Sequence, residues 1–197
     1  MNYFKIYGFQ GVVRLLVDKI YTILFFRRFR ILRRPYYIRG NRKGIKGGVK
    51  LTTGVALRID LINYEGSNPQ LIIGDNVQIN DYVHIGVVDK VSIGDNTIIA
   101  SKVFISDHNH GNYSGISPTL PDSNPINRKL YSNTVEIGKN VWIGEFVSIL
   151  PGVKIGDGAV IGSMTLVTQD IPPNTINIGV PSRVVKKFDS KTNTWKS

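Results

Sequence analysis

The chain has no cysteine, only three histidines and only two methionines in 197 residues. The missing cysteines exclude a disulfide framework, a thiol nucleophile and thiolate zinc sites, so any group transfer must use another nucleophile or none. Acid is scarce at one end. Residues 1–50 hold a single carboxylate, Asp18, against 13 Lys or Arg, a net of +12, whereas residues 51–197 hold 13 acids and 12 Lys or Arg, a net of −1. The formal charge of +11 therefore belongs to the N-terminal quarter. No apolar run is long enough to span a bilayer: "GVVRLLVDKIYTILFF" is interrupted by Arg14, Asp18 and Lys19, and it lacks the small-residue cleavage site of a secretory signal. The expectation is a soluble cytoplasmic protein, long enough for one domain with a sizeable core.

In that basic quarter Val12, Val13, Leu16, Ile20, Ile23 and Leu24 recur at intervals of three and four, the spacing of an amphipathic helix, and "RRFRILRRP" follows directly. A basic amphipathic segment with aromatics suits a peripheral contact with an anionic membrane surface, and it equally suits a cap over the open end of a repeat column. Nucleic acid is a third partner for such charge, but no base-stacking or groove-reading motif accompanies it, so none is expected.

What the rest of the chain has in abundance is a count of six. In "VEIGKNVWIGEFVSILPGVKIGDGAVIGSMTLV" an aliphatic returns at Ile137, Ile143, Ile149, Ile155, Ile161 and Val167. Strands repeat every 2 residues and helices about every 3.6, so this period signals a stacked repeat whose units bury their apolar faces against one another. A coil of three short flat sides joined by sharp corners fits, with the aliphatic inside and Gly, Asn or Asp behind it tolerating a positive φ. The unit recurs at Ile73, Ile79 and Ile85, and again at Ile93, Ile99 and Ile105 after a two-residue slip around Val87–Lys90. Residues 109–134, "NHGNYSGISPTLPDSNPINRKLYSNT", break the pattern with three prolines and two glycines, and read as an excursion from the column.

The hexads, the Trp of "NVWIG", the closure "DIPPNTINIGVPSRVV" and the loop "ISDHNHGNYSG" together resemble the hexapeptide-repeat acetyltransferases, and within them the sugar O-acetyltransferases of bacterial O-antigen and capsule. The resemblance covers roughly residues 70–187. It implies an all-β solenoid, a left-handed parallel β-helix, over residues 49–187, preceded by a basic helical segment at 1–48 and followed by a tail at 188–197. It also implies acetyl-CoA as co-substrate, a homotrimer with active sites between neighbours, and no metal.

Transfer of an acetyl group to a hydroxyl requires the hydroxyl proton to leave, and a neutral imidazole is the usual acceptor. By resemblance the base stands where the coil gives way to the loop. "FISDH" puts His108 there, with His110 the alternative reading two residues later. Adjacent residues need not face each other, so Asp107 is not assigned as an orienting carboxylate. On the coenzyme side, Trp142 matches an aromatic that packs near the coenzyme. The turn Gly144–Glu145 matches the backbone N–H donor to the developing oxyanion. Ser163 and Thr168 match the pantetheine channel, and Arg183 and Lys186 match cations that meet coenzyme phosphates. Two positions depart from the family: Glu145 replaces a small residue, and Gln169 stands where Lys is usual. Asn80, Asp81, His84 and Tyr113 are the candidate acceptor contacts.

Three histidines also raise a His₃ zinc site, the chemistry of the γ-type carbonic anhydrases on a similar coil. Counting hexads, His84 and His108 lie four units apart, which puts them on different faces of one subunit and weighs against that reading. Two further readings stay open: N-acetylation of a nucleotide-linked amino sugar, and a non-catalytic scaffold.

Overall fold

The structure is a computed structural model that describes residues 3–114 and 117–197. Three stacks of short parallel strands form the sides of a column. Side A stacks Thr52–Thr53, Gln78–Ile79, Ile98–Ile99, Trp142–Ile143, Val160–Ile161 and Thr175–Ile178. Side B stacks Tyr36–Arg39, Leu57–Leu61, His84–Val87, Phe104–Ser106, Ser148–Ile149 and Leu166–Val167. Side C stacks Ile45–Gly47, Gln70–Ile73, Lys90–Ile93, Val135–Ile137 and Lys154–Ile155. The chain visits A, B and C in turn, and each coil pairs in register with the next, so that Ile85 lies beside Ile105 and Ile105 beside Ile149.

Register places every hexad aliphatic inside. Ile79, Ile99, Ile143 and Ile161 line side A, and Ile85, Ile105, Ile149 and Val167 line side B, all essentially without exposure. Each coil buries its row only against its neighbours, which is why the six-residue count had to be kept.

The corners use two residue types for different reasons. The glycine directly behind the aliphatic does not adopt positive φ; a Cβ on Gly94 would sit 2.6 Å from the Gly138 carbonyl carbon, so Gly serves close stacking of coils. Positive φ falls two residues later, at Asn76, Asn96, Asn140 and Asn174 on the edge between C and A. Asn bears that conformation readily. On the edge between A and B the same left-handed positions hold Tyr82, Lys102, Phe146 and Met164, with φ of 58–61°.

The N-terminal segment departs from expectation. A helix spans Tyr3–Phe25, broken at Gly8 (φ 64°, ψ 177°). Its expected apolar stripe does not cover the column: Val13, Leu16, Ile20, Ile23 and Leu24 are all exposed. The side that docks is polar. Asp18 is buried and accepts from Arg34 Nε at 2.8 Å, Thr22 Oγ1 accepts from the Leu32 N–H at 2.8 Å, and the Tyr21 and Tyr36 hydroxyls meet at 2.8 Å. The open end is closed instead by residues after the helix, with Phe29, Tyr36, Ile38 and Ile45 packed on the core. Pairing of Tyr36–Arg39 with Leu57–Asp60, and of Ile45–Gly47 with Leu71–Ile73, carries the sheets past the expected start at residue 49. At the far end Arg183–Asp189 and Thr194–Lys196 fold back antiparallel on side A, so the expected tail is part of a hairpin.

Candidate active site

The two-residue slip builds the site. On side B the strand His84–Val87 runs on into Val88 and Asp89, whose N–H groups lie at an irregular corner. The carboxylate of Asp107, wholly buried one coil later, takes them: the Val88 N–H donates to Oδ1 at 2.9 Å and the Asp89 N–H to Oδ2 at 2.8 Å. His108 Nδ1 lies 2.9 Å from the same Oδ1. A carboxylate can only accept, so Nδ1 carries a hydrogen, and in the neutral ring the lone pair is on Nε2. Asp107, left unassigned by sequence reasoning, thus faces its neighbour because the side-B strand ends there and the chain turns outward into the hairpin His108–His110 with Leu130–Ser132. Ser106 Oγ donates to the His108 carbonyl at 3.0 Å and accepts from the His108 N–H at 3.3 Å, which ties the backbone that carries the imidazole.

The ring lies over Gly86. A Cβ there would come 3.2 Å from His108 Cε1, and Gly86 is not at positive φ, so the absence of a side chain makes room for the imidazole. Gly86→Ala is expected to push a ring already tied at Nδ1 and to lower kcat roughly ten-fold while the KM for acetyl-CoA holds, since small displacements of a catalytic group are costly. Steady-state kinetics checks this; an unchanged kcat would mean the ring yields freely.

His84 and His108 are not on different faces, as hexad counting predicted. His84 pairs with Phe104 on side B, two residues from Gly86. The two-residue slip, together with His108 lying past its strand, accounts for the miscount. His84 Nε2 meets Asp60 Oδ2 at 3.1 Å, and Asp60 also pairs with Arg58 at 2.6 Å and Arg39 at 3.3 Å. Burial pushes the Asp60 carboxyl up, but the bonds from Arg58 and His84 and the guanidinium charges prevail and hold it below the usual carboxylate range. Asp60, Arg58 and Gly86 had no signal in the sequence beyond lying in a strand. Among the described residues no three His, Cys, Asp or Glu side chains gather in a group that could hold a metal ion.

His110 is exposed, and its carbonyl accepts from the Tyr113 hydroxyl at 2.5 Å; Tyr113 in turn accepts from Arg128 Nη1 at 2.8 Å, so its ring is held within its own loop. The coenzyme-side candidates lie on side A and the A–B edge. Trp142 is 57% exposed between Ile98 and Val160, and Val160 leads through Ile176 to Lys186 in one row. Gly144 abuts Ser163, whose N atom would be 2.7 Å from an added Cβ. The Gly144 and Phe146 N–H groups donate to Ile161 and Ser101, while the Glu145 N–H between them has no partner among the described residues. Asn80 and Asp81 belong to the same edge, two coils away, where Asp81 Oδ1 accepts from the Val55 N–H at 2.7 Å. Arg183 is exposed beside Ile178. Thr168 is not beside Ser163: the two flank the strand Leu166–Val167 at its opposite ends.

Within one chain, then, the imidazole stands where side B ends, and most of the coenzyme candidates stand on side A and where side B begins.

Residues 134–169 match the family model described as bacterial transferase hexapeptide (six repeats). The chain is 45% identical over 193 residues, 98% of its length and 96% of the relative's, to WbbJ of Escherichia coli (strain K12), named for O-acetyl transfer in lipopolysaccharide biosynthesis. It is similar to a galactoside acetyltransferase solved in complex with coenzyme A, at 34% identity and a TM-score of 0.53, covering 72% of this chain and 68% of that one. An N-acyltransferase of Bacillus cereus solved with dTDP and coenzyme A shares the fold at a TM-score of 0.64 and 22% identity, with 82% of each chain covered. The column is a left-handed parallel β-helix.

Proposed function

The chain belongs to the hexapeptide-repeat acetyltransferases, and from that premise we propose that it transfers the acetyl group of acetyl-CoA to a sugar hydroxyl during synthesis of a surface polysaccharide or its lipid-linked precursor. The observation that carries this reading is the buried Asp107 carboxylate bound to His108 Nδ1, which leaves Nε2 as an oriented base at the mouth of the loop. Nε2 takes the hydroxyl proton as the oxygen attacks the thioester carbonyl. The tetrahedral oxyanion is met by the Glu145 N–H, and the departing thiolate recovers the proton from the imidazolium. His84, held by Asp60, would contact the acceptor. Trp142, Ser163, Arg183 and Lys186 would hold the coenzyme. The test is acetyl-CoA consumption against a panel of sugar acceptors; a chain that neither binds acetyl-CoA nor hydrolyses it slowly would be a scaffold instead, and transfer only to amino sugars would make it an N-acetyltransferase.

The working form is a homotrimer. A threefold ring presents the A–B edge of one copy to the side-B loop edge of the next, a heterologous contact that closes. That edge carries Tyr82, Phe146 and Met164, 58%, 45% and 68% exposed on the single chain. Left-handed backbone at such bulky residues costs of order 1 kcal/mol each, an expense that packing against a neighbour would offset.

The exposed helix stripe, followed by Arg27, Arg28 and Arg30, suits a peripheral seat on an anionic leaflet at the cytoplasmic face of the plasma membrane. No described helix is long and apolar enough to cross a membrane. Replacing Leu24 and Phe25 together by Glu is expected to abolish co-sedimentation with phosphatidylglycerol vesicles while transfer to a soluble acceptor persists; sedimentation unchanged by the pair would remove the membrane from this reading.

A further inference from the structure

In its second half the helix docks through Asp18, Tyr21 and Thr22. Its earlier turns stand off side A and leave a cavity of about 1260 Å³, larger than the roughly 300–1,000 Å³ of ordinary small-molecule sites. The two walls differ in kind. Val12, Leu15 and Leu16 of the helix form an apolar wall, while Gln78, Asn80 and Asp81 form a polar floor. Lys19, Arg30 and Arg33 also line the cavity, three cations against one carboxylate.

Arg33 is the least satisfied of these groups. Its guanidinium reaches Asp81 only at 3.8 Å, and its buried Nε has no hydrogen-bond partner. The Arg33 side chain as a whole is 29% exposed, so the exposed part of the guanidinium, not the buried Nε, is what an anionic oxygen in the cavity would meet. Lys19 donates to the Arg30 carbonyl, and Arg30 Nη2 donates to Asn76 Oδ1 at 3.1 Å. Leu16 belongs both to the apolar wall and to the exposed stripe of the helix, so the wall is continuous with the surface that would lie against lipid.

We propose that this cavity takes an amphiphile: one hydrocarbon chain along the helix wall and an anionic phosphate head among Arg33, Lys19 and the polar floor. In the setting of the transfer reading above, on which this naming of the ligand rests, the amphiphile is the phosphate-linked lipid that carries the acceptor sugar. The apolar wall has no use for a bare inorganic phosphate, and the cations have none for a neutral lipid.

The experiment is calorimetric titration of the full chain with dodecyl phosphate below its micelle concentration, beside inorganic phosphate and dodecyl maltoside. Expected is one dodecyl phosphate per chain, bound at least about ten-fold more tightly than either comparator, because only it satisfies both walls. Arg33→Gln and Leu16→Glu should each weaken it about ten-fold with acetyl-CoA binding unchanged, whereas Phe25→Glu, outside the cavity, should leave it intact. Equal binding of either comparator, or affinity that responds to Phe25→Glu and not to the cavity variants, overturns the proposal. Failure of the unaltered chain to bind acetyl-CoA would sink the transferase reading instead and leave the amphiphile result standing.

Discussion

Replacing His108 by Ala is expected to slow acetyl transfer roughly 10²–10⁴-fold while acetyl-CoA affinity stays near normal. The size follows from what the imidazole alone supplies. No second base lies in the same setting: His110 is exposed in the loop, and His84 has its Nε2 committed to Asp60 at 3.1 Å. Asp107→Asn separates orientation from basicity. With its oxygen at the Oδ2 position the amide keeps accepting from the Asp89 N–H at 2.8 Å and from the Val88 N–H at 3.1 Å, and its NH₂ then takes the Oδ1 position, facing Nδ1. That would favour the tautomer with hydrogen on Nε2 and disable the base without emptying the site. The variant should therefore fall nearly as far as His108→Ala, with its fold and its acetyl-CoA binding retained. His110→Ala should change the rate by only a few-fold. A large loss at His110 with little at His108 would reverse the assignment, and the loop, not the coil corner, would then carry the chemistry.

The reach of the sequence is uneven for physical reasons. Every hexad aliphatic from Ile73 to Val167 is buried, because the interior row of the column is apolar between its ends; only at the two ends of side A do polar residues, Thr53 and Asn177, take that position. The helix at the N terminus was legible as periodicity, but periodicity does not say which way the apolar stripe faces. Asp18 and Thr22, two polar residues on the other side, decide the docking through hydrogen bonds to Arg34 and Leu32 that no local pattern announces. The candidate site was half legible. His108 could be found because the repeat breaks beside it. Asp107 could not be given its partner, since that depends on two N–H groups 18 and 19 residues earlier, set free by the slip at Val87–Lys90. The slip looked like a defect in the repeat and is the seat of the carboxylate. The same irregularity misled the count that put His84 and His108 on different faces. Asp60, with Arg58 and Arg39 around it, looked like ordinary strand charge, and only the register of three adjacent strands gathers it with His84.

Mixing two inactive variants is expected to restore about a quarter of the activity. Take one chain carrying His108→Ala and another carrying Ser163→Trp, which fills the exposed corner beside Gly144 without entering the core. Each should be nearly inactive as a homotrimer. If every site joins the imidazole of one copy to the A–B edge of the next, co-assembly in equal amounts leaves half the copies with an intact imidazole. Half of their neighbours then have an intact edge, so about one site in four is whole. If one chain supplied both halves, every site in the mixture would still lack one of them and activity would stay at background. The single chain favours the first outcome: side B stands between His108 and Gly144, and the left-handed residues Phe146 and Met164 on the A–B edge hold large side chains out into solvent. Co-expression with two different tags and purification through both removes the homotrimers and isolates the mixed species, in which one site in three is whole, so its specific activity, about a third of that of the unaltered protein, decides the matter. Background activity in a trimer confirmed to contain both chains would mean that the thioester and the imidazole meet within one subunit, and the arrangement of the site would have to be redrawn around the loop.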